Sequence, residues 1–352
     1  MRSQLLAGQR PRNVADAVRR VGALQAQSTP AVRMAVRART QDLTQADFDD
    51  AVATSRTVVR TWLMRGTIHL VAAGDVGWMV DLIGPSVRAR YRRRREQLGL
   101  TDELCERALA ALPQILTGPS PMPLSQVMTQ LAERGVEIDT SEQAPTHLMV
   151  LAATHGLVCR GPEAGREPAF ILSDQWVAPG PRLDRDEALA RLARLYLAGR
   201  GPATVADFAT WSALPTADCR LAFDLLASEL VEVEAAGTAM VALAHTDLTP
   251  PTETHVRLVG MWDEYLLSHR SRELILDPAV ADRILIGGVI QAAVVVDGRV
   301  GGLWRLQGTG RRRRLVVEAF STLSRPMHHA IEAEADDIGR FLGADIEVSS
   351  NA

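Results

Sequence analysis

Residues 101–172 read TDELCERALAALPQILTGPSPMPLSQVMTQLAERGVEIDTSEQAPTHLMVLAATHGLVCRGPEAGREPAFIL. Apolar side chains recur there at helical spacing in three runs that glycines separate, and two short apolar runs then flank a loop rich in Gly and Pro. This pattern predicts three helices and then two strands, at 101–116, 126–133, 142–155, 157–160 and 169–172. Three helices followed by a β-hairpin are typical of a winged helix.

The same order of elements recurs on both sides of this stretch, with little residue identity. On the C-terminal side we predict three helices and a hairpin, at 186–197, 203–214, 217–226, 230–234 and 240–244. On the N-terminal side we predict two helices and two strands, at 14–21, 43–53, 58–63 and 67–71. One copy alone would also fit a helical subdomain with an incidental hairpin. Three copies favour tandem winged helix-turn-helix units.

The C-terminal part of the chain has a different pattern. Residues 290–296 are almost all apolar, Asp297-Gly298 is a hairpin turn signal, and 300–306 returns as a strand. A final helix is expected over 329–342. We therefore predict an α+β fold in four parts: winged-helix unit 1 with a basic helix at 1–98, unit 2 at 99–182, unit 3 at 183–247, and a C-terminal α+β region with a basic hairpin at 248–352.

The composition argues against several classes of protein. Hydrophobic residues make up 47% and charged residues 23% of the chain, which argues against long disorder. The three cysteines are far apart, so neither a disulfide framework nor a metal site is indicated. No apolar run approaches the roughly 20 residues of a membrane span. The N-terminus lacks the apolar core of a signal peptide, and we expect a cytoplasmic protein without membrane contacts.

Basic charge is concentrated locally, although the net charge is −3. No lysine occurs, so every basic side chain other than histidine is an arginine. The two densest arginine runs are Arg92-Arg93-Arg94-Arg95, which continues a run begun at Arg90, and Arg311-Arg312-Arg313-Arg314. Such runs fit phosphate contacts that position DNA without reading its sequence, but a solvated helix face or a flexible basic loop would have the same pattern.

The segment Gln25-Ala26-Gln27 precedes Pro30, and we expect the chain from 24 to 30 to be extended or irregular. In an extended chain, residues two apart share a face, so the two side-chain amides would lie side by side. Paired amides can hold a water and a base or sugar edge together. Two ordinary surface glutamines would give the same pattern.

Six blocks in the chain, in this order, resemble the AlkZ-like winged-helix DNA glycosylases. The blocks are Leu24-Gln25-Ala26-Gln27, Arg65-Gly66-Thr67-Ile68-His69-Leu70-Val71, Arg200-Gly201-Pro202-Ala203-Thr204-Val205-Ala206-Asp207-Phe208 with Trp211-Ser212, Trp262-Asp263-Glu264-Tyr265-Leu266-Leu267, Asp297-Gly298-Arg299-Val300, and Gly302-Leu303-Trp304-Arg305. The resemblance implies tandem winged helices that hydrolyse the N-glycosidic bond of alkylated purines in double-stranded DNA, and some members unhook interstrand crosslinks. The family's catalytic motif is glutamine, an apolar residue, then glutamine or aspartate. Here it reads Gln25-Ala26-Gln27, with a smaller middle residue than is usual.

The resemblance also implies roles for individual residues. Gln25 and Gln27 would be catalytic, and the reaction needs no metal or organic cofactor. The resemblance also covers Asp263 and Glu264 without assigning either a chemical role; they are possible supporting carboxylates, and we expect them to be structural and to pair with arginines such as Arg270 or Arg272. At the predicted β-turn, Arg65 is expected to contact a DNA phosphate, and His69 either contacts the lesion strand or packs under the hairpin.

Two other functions remain open. The chain could be a non-catalytic winged-helix regulator, or a DNA-binding fold kept for protein contacts only. Regulators commonly dimerise to match two half-sites, whereas a lesion-specific enzyme works as a monomer, which is the state we expect. A lyase that uses a lysine amine is excluded, because the chain has no lysine.

Overall fold

The computed structural model describes residues 1–249 and 254–351 and has a mixed α+β fold, as predicted. Its helices are α1 Val14–Val21, α2 Thr29–Arg39, α3 Gln45–Ala53, α4 Val76–Gln97, α5 Asp102–Ile115, α6 Leu124–Ala132, α7 Ala144–Thr154, α8 Ser173–Trp176, α9 Arg185–Arg200, α10 Val205–Ser212, α11 Thr216–Asp224, α12 Glu264–Leu267, α13 Ala281–Ile284 and α14 Arg325–Leu342. Its strands are β1 Leu24–Gln25, β2 Val58–Trp62, β3 Ile68–Ala72, β4 Met122–Pro123, β5 Val158–Arg160, β6 Ala169–Leu172, β7 Leu230–Ala235, β8 Thr238–Leu243, β9 Val256–Val259, β10 Leu285–Ile286, β11 Val289–Ile290, β12 Ala293–Val296, β13 Arg299–Gln307, β14 Arg312–Ala319 and β15 Asp345–Asn351. Residues 250–253 and 352 of the predicted fourth part lie outside the described residues.

The helices α1 and α2 bracket the Gln25-Ala26-Gln27 motif. Gly22 follows α1 with a positive φ of 85°, and the chain then runs extended through β1. Helix α2 begins at Thr29 with Pro30 in its first turn, where the missing N–H of proline costs no hydrogen bond. The sequence pattern predicts an extended or irregular chain over 24–30 and no helix between residues 30 and 43. Helix α2 corrects this, because the proline starts a helix instead of prolonging the extended segment.

Six strands form one sheet in the order β1-β3-β2-β5-β6-β4. Strands β2 and β3 form the antiparallel hairpin of the first predicted unit, and β5 and β6 form that of the second. The two hairpins meet where Arg60 of β2 pairs with Arg160 of β5. Every residue of β2, β3, β5 and β6 is buried, so helices cover both faces of this sheet. The first two predicted units therefore share a sheet and a core.

Helix α4 carries the first arginine run and packs against α7 and the hairpin β2–β3. A Cβ on Gly84 would lie 2.3 Å from the carbonyl oxygen of Thr154, so glycine permits this close approach of the two helices. Further along α4, Tyr91 packs against Gly66 at the tip of the hairpin, and its hydroxyl donates to the Gly66 carbonyl at 3.3 Å. The hairpin tip is therefore held against α4.

The third predicted unit has its helices and hairpin in the expected order, as α9, α10, α11 and β7–β8. Thr204 and Asp207 form a reciprocal capping box that starts α10. The first helix is longer than predicted, since α9 continues through Gly199 to Arg200. The order of elements agrees with winged helix-turn-helix units, and their assignment as such stays a prediction.

The C-terminal region is built on a five-stranded sheet in the order β15-β14-β13-β12-β9. The predicted turn at Asp297-Gly298 joins β12 to β13, with positive φ at both residues. Strand β15 was not predicted. It pairs parallel to β14 after the crossover helix α14. Within residues 1–249 and 254–351, no helix combines the length and apolar character needed to cross a membrane.

Candidate active site

The predicted catalytic pair lies at the edge of the six-stranded sheet. Gln25 pairs with His69 of β3 across the antiparallel ladder, and the amide of Ala26 donates to the carbonyl of Ile68 at 2.7 Å. Ala26 itself is buried, whereas Gln25 is half-buried and Gln27 is exposed. The buried alanine anchors the motif in the core and leaves the two glutamines at the surface of the site.

Each glutamine oxygen accepts a hydrogen bond from a group that can only donate. Arg65 Nη2 donates to Gln25 Oε1 at 3.1 Å, and the backbone N–H of Ile68 donates to Gln27 Oε1 at 2.9 Å. Because neither donor has a lone pair to offer, an oxygen and not the amide nitrogen must face it in each case. Among the described residues neither Nε2 has a protein partner. Both amides are therefore oriented with their oxygens inward.

A buried cluster around Glu264 supports this arrangement. Glu264 Oε2 accepts from Arg200 Nη2 at 2.9 Å and from the indole Nε1 of Trp211 at 3.2 Å. Its other oxygen, Oε1, lies 3.6 Å from Arg65 Nη2 and 3.7 Å from His69 Nε2, and has no hydrogen-bond partner in the described part of the chain. The carboxylate thus lies behind Arg65, which in turn holds Gln25.

Arg65 is fixed from several sides. Its Nη1 donates to the carbonyl of Trp211 at 2.9 Å, and its Nη2 lies 3.4 Å from His69 Nε2. His69 Nδ1 lies 3.0 Å from the carbonyl of Thr67, which can only accept, so the imidazole proton is on Nδ1 and Nε2 accepts from Arg65. The guanidinium is therefore engaged inside the protein.

The environment keeps this cluster from titrating near neutral pH. Burial, reinforced by the charge of Arg65, lowers the pKa of His69 to about 3, so the imidazole is neutral. Burial alone would raise the pKa of Glu264, but the charges of Arg200 and Arg65 outweigh it and hold that pKa at about 2. The site has an ionised carboxylate and a neutral histidine, and neither is a general base in reach of solvent.

The two predicted supporting carboxylates have partners other than those we expected. Asp263 makes a fully buried bidentate ion pair with Arg39, at 2.7 and 2.8 Å, and caps α12. Glu264 pairs with Arg200. The prediction of Arg270 or Arg272 as partners is wrong, because among the described residues neither arginine forms an ion pair with Asp263 or Glu264. Sequence proximity misled here, since the real partners come from distant helices.

The surroundings of Arg65 and His69 bear on their expected DNA contacts. His69 is fully buried, so it packs under the hairpin, which is one of the two alternatives from the sequence. The side chain of Arg65 is 19% exposed and its donors point inward. The turn that carries Arg65 packs against α4 and α10, so these contacts favour a structural role, and the phosphate contact of Arg65 stays a prediction.

The first arginine run is divided between solvent and core. On α4, Arg92 and Arg93 are exposed, and Arg94 is half-buried beside Glu142 at 3.6 Å. Arg95 is 8% exposed and donates to the carbonyl of Arg88 at 3.1 Å, so it is a structural residue and not a free cation. Consecutive residues of a helix point in different directions, so four arginines in a row cannot all lie on its outward face.

The second arginine run lies mostly in a strand. Arg311 ends the turn after β13, whereas Arg312, Arg313 and Arg314 belong to β14. Arg313 is half-buried and the other three are exposed, with Arg314 lying 3.8 Å from Glu347 of β15. The last antiparallel pair of β13 and β14 is Gln307 with Arg314, so the run lies at the tip of this hairpin, as predicted.

Sequence reasoning missed three residues of the site. Arg200 and Trp211 lie in one of the matching blocks, but nothing in the sequence assigned a role to either. Arg60, whose Nη2 donates to the Ala26 carbonyl at 2.9 Å, was predicted only as part of a strand. The available signal was an arginine at the centre of a strand whose other residues, apart from Thr61, are apolar, since an arginine is rarely buried without a partner.

Comparisons with known proteins identify the family of this chain. The family model for AlkZ-like DNA glycosylases matches residues 18–341. An interstrand DNA cross-link repair glycosylase of Streptomyces sahachiroi is 28% identical over 365 aligned residues, which cover 97% of this chain and 94% of that protein. The solved structure of the Streptomyces sahachiroi DNA glycosylase AlkZ has a TM-score of 0.83 at 24% identity, with 100% of this chain and 97% of that chain covered. The chain belongs to the AlkZ-like DNA glycosylase family.

Proposed function

We propose that this protein is a monofunctional DNA glycosylase for cationic purines alkylated at N7 or N3 in double-stranded DNA, with Gln25 and Gln27 as its catalytic residues. The observation that carries the proposal is the fixed orientation of the two amides. They lie beside a cluster that contains no base with a pKa near neutrality.

Alkylation gives the base a positive charge, so the leaving group is already activated. The bond from C1′ to the purine nitrogen breaks with its electron pair going to the purine, which leaves neutral. Water adds to the oxocarbenium-like sugar at C1′ and releases a proton to solvent. Each amide oxygen keeps a second lone pair that can accept from this water, and each Nε2 keeps two donors for the DNA. Positioning and electrostatics then supply the catalysis.

The rigid setting of Gln25 supports this mechanism. Arg65 holds the amide oxygen, and the buried Glu264 offsets part of the charge of Arg65. A water placed by such an amide is oriented before the reaction begins, which removes an entropic cost from the barrier. An amide cannot take a proton at neutral pH, so unmodified bases should react poorly.

The relative's name adds crosslinks to the proposed substrate range. The Streptomyces sahachiroi protein is named an interstrand DNA cross-link repair glycosylase. A crosslink through two purine N7 atoms carries the same cationic leaving group at each end, and we include it among the proposed substrates. Because the chain has no lysine, no lysine amine can form a Schiff base with the sugar.

The proposal is tested with a duplex that carries a single N7-methylguanine, followed by alkali to reveal abasic sites, and with a duplex that carries an N7–N7 crosslink. The unmodified duplex is the control. We expect excision from the modified duplexes only, by a protein that elutes as a monomer in gel filtration. Absence of excision from both would overturn the proposal.

The catalytic assignment is tested separately by the variant Gln25→Ala with Gln27→Ala. It should abolish excision while duplex affinity changes little. The matched control is Gln114→Ala, which alters an exposed glutamine of α5. An equal decrease in excision and affinity would mean that the pair supports binding or folding.

A further inference from the structure

Two arginines face each other in the middle of the six-stranded sheet. Arg60 and Arg160 are direct partners across β2 and β5, so their side chains leave the sheet on the same face with Cβ atoms about 5 Å apart. The side chain of Arg60 is 3% exposed and that of Arg160 is 10% exposed. Like charges directly opposite each other destabilise a sheet, and here little water is present to screen them. This arrangement requires an anion.

One carboxylate oxygen serves as that anion. Glu163 Oε1 accepts from Thr29 Oγ1 at 2.7 Å and from Arg60 Nη1 at 3.2 Å, and it lies 3.6 Å from Arg160 Nη2. Thr29 is the first residue of α2, so the positive end of an 11-residue helix adds to the field. Burial alone would raise the pKa of Glu163, but the hydrogen bond from Thr29 and the charge of Arg60 outweigh it and lower that pKa.

The anion site is only partly satisfied by Glu163. A single carboxylate faces two guanidiniums, so among the described residues Arg60 and Arg160 share Glu163 as their ion-pair partner. Burial, and then the charge of Arg60, lower the pKa of Arg160 to about 10. Glu163 belongs to the exposed loop between β5 and β6, and its side chain is 32% exposed. Its carboxylate can therefore be exchanged for another anion without movement of a strand.

The site adjoins the catalytic motif and has space beside it. Arg60 Nη2 donates to the carbonyl of Ala26, so one guanidinium touches both the motif and the anion. Thr29 follows Gln27 by two residues, which places their Cα atoms within about 7 Å. A cleft of about 350 Å³ opens next to these groups; it is lined in part by Thr29, Arg33, Phe48, Arg60 and Glu163.

We propose that Arg60, Arg160 and Thr29 form a binding site for one DNA backbone phosphate of the strand that carries the lesion, and that Glu163 occupies this site in the free protein. The inference rests on the proposed function and deepens it. A phosphodiester oxygen has the charge and the acceptor geometry that the carboxylate supplies, and guanidinium groups bind it through paired N–H donors. Exchange of Glu163 for phosphate would fix the damaged strand next to Gln27.

The first test neutralises phosphates one at a time. The probe is a duplex with a tetrahydrofuran abasic-site analogue, which cannot be cleaved by the glycosylase, carrying single methylphosphonate linkages at successive positions on each strand. For the wild-type protein, one or two neighbouring linkages beside the analogue should weaken binding about tenfold, equivalent to about 1.4 kcal/mol. In Arg160→Gln the same linkages should have a much smaller effect, because Arg60 and Thr29 remain. A uniform response across all positions would overturn the proposal.

The second test removes the competing anion. Glu163→Gln should be less stable to urea than the wild type in the absence of DNA, yet it should bind the same duplex several-fold more tightly. The matched control, Glu106→Gln, removes one negative charge from an exposed position on α5. If the glutamate were purely structural, its replacement would reduce stability and affinity together. Affinity equal to that of Glu106→Gln would also overturn the proposal.

These results are separable from those for the proposed function. Position-dependent weakening of binding without excision of any alkylated purine would retain the phosphate site and overturn the enzymatic proposal. Excision with a uniform methylphosphonate response would retain the enzyme and overturn the phosphate site. Failure of the wild-type protein to bind the duplex would overturn the phosphate site directly.

Discussion

Arg65 donates a hydrogen bond to the side-chain oxygen of Gln25 at 3.1 Å, across 40 residues of sequence. This hydrogen bond predicts that Arg65→Met lowers the single-turnover excision rate at least tenfold with little change in duplex affinity, because the donors of Arg65 point into the protein. Rates and binding isotherms at two salt concentrations check it.

Arg93→Met is the matched comparison for Arg65→Met, since Arg93 is exposed on α4. It should leave the excision rate of bound substrate unchanged and weaken binding. If Arg65→Met instead weakened binding and reduced its salt dependence, Arg65 would be a phosphate contact after all.

The excision rate should be independent of pH between pH 6 and pH 8. Neither amide titrates, and the pKa values of about 3 for His69 and about 2 for Glu264 lie well below this range. Single-turnover rates on N7-methylguanine measure the profile. A tenfold rise per pH unit across this interval would reveal a general base that the mechanism does not contain.

The stability of the fold should decrease as pH falls below about 6.5. His69 keeps a pKa of about 3 when folded, against 6.5 when exposed, so between these values the unfolded chain binds a proton that the folded protein does not. Below about 4.5, protonation of Glu264 in the unfolded chain destabilises the fold further. From His69 alone, the free energy of unfolding should drop by about 2 kcal/mol between pH 7 and pH 5.

Urea unfolding of His69→Gln measures this contribution. Its stability should vary less between pH 7 and pH 5 than that of the wild type, whatever its absolute value. The control is His329→Gln, an exposed position on α14. Parallel pH curves for the wild type and His69→Gln would contradict the assigned burial effect.

The arginine run on α4 should divide into two kinds of residue. Arg92→Gln with Arg93→Gln should weaken duplex binding for all sequences and lower the slope of log affinity against log salt by about 0.9 for each phosphate that is no longer neutralised. Arg95→Gln should instead lower the free energy of unfolding, because its buried side chain donates to the Arg88 carbonyl. If the slope of log affinity against log salt were unchanged in the double variant, the DNA would not contact this face of α4.

Local patterns predicted most elements well. The helices and hairpin around residues 101–172 and the hairpin after α11 are where periodicity and turn residues placed them. Helix α2 was missed because Pro30 is compatible with either an extended chain or a helix start. Strand β15 was missed because parallel pairing depends on a crossover that no local pattern reveals.

The site was harder to predict than the fold. The Gln25-Ala26-Gln27 motif was recognised by resemblance, and its extended conformation followed from the neighbouring residues. The partners of Glu264 were not predictable, since Arg200 and Arg65 come from segments 64 and 199 residues away along the chain. The sequence also does not reveal which arginines face solvent, because burial of Arg95 and Arg65 depends on tertiary packing and not on composition.

The pairing of β2 with β5 has a consequence for synthesis of the chain. Strand β2 is buried along its whole length, but the strand that completes its pairing leaves the ribosome about a hundred residues later. At typical translation rates that interval lasts about 5–20 seconds, during which an apolar strand edge stays open to other nascent chains. The arginine at the centre of β2 places a charge on that edge, and a charge in such a position discourages aggregation until its partner strand arrives.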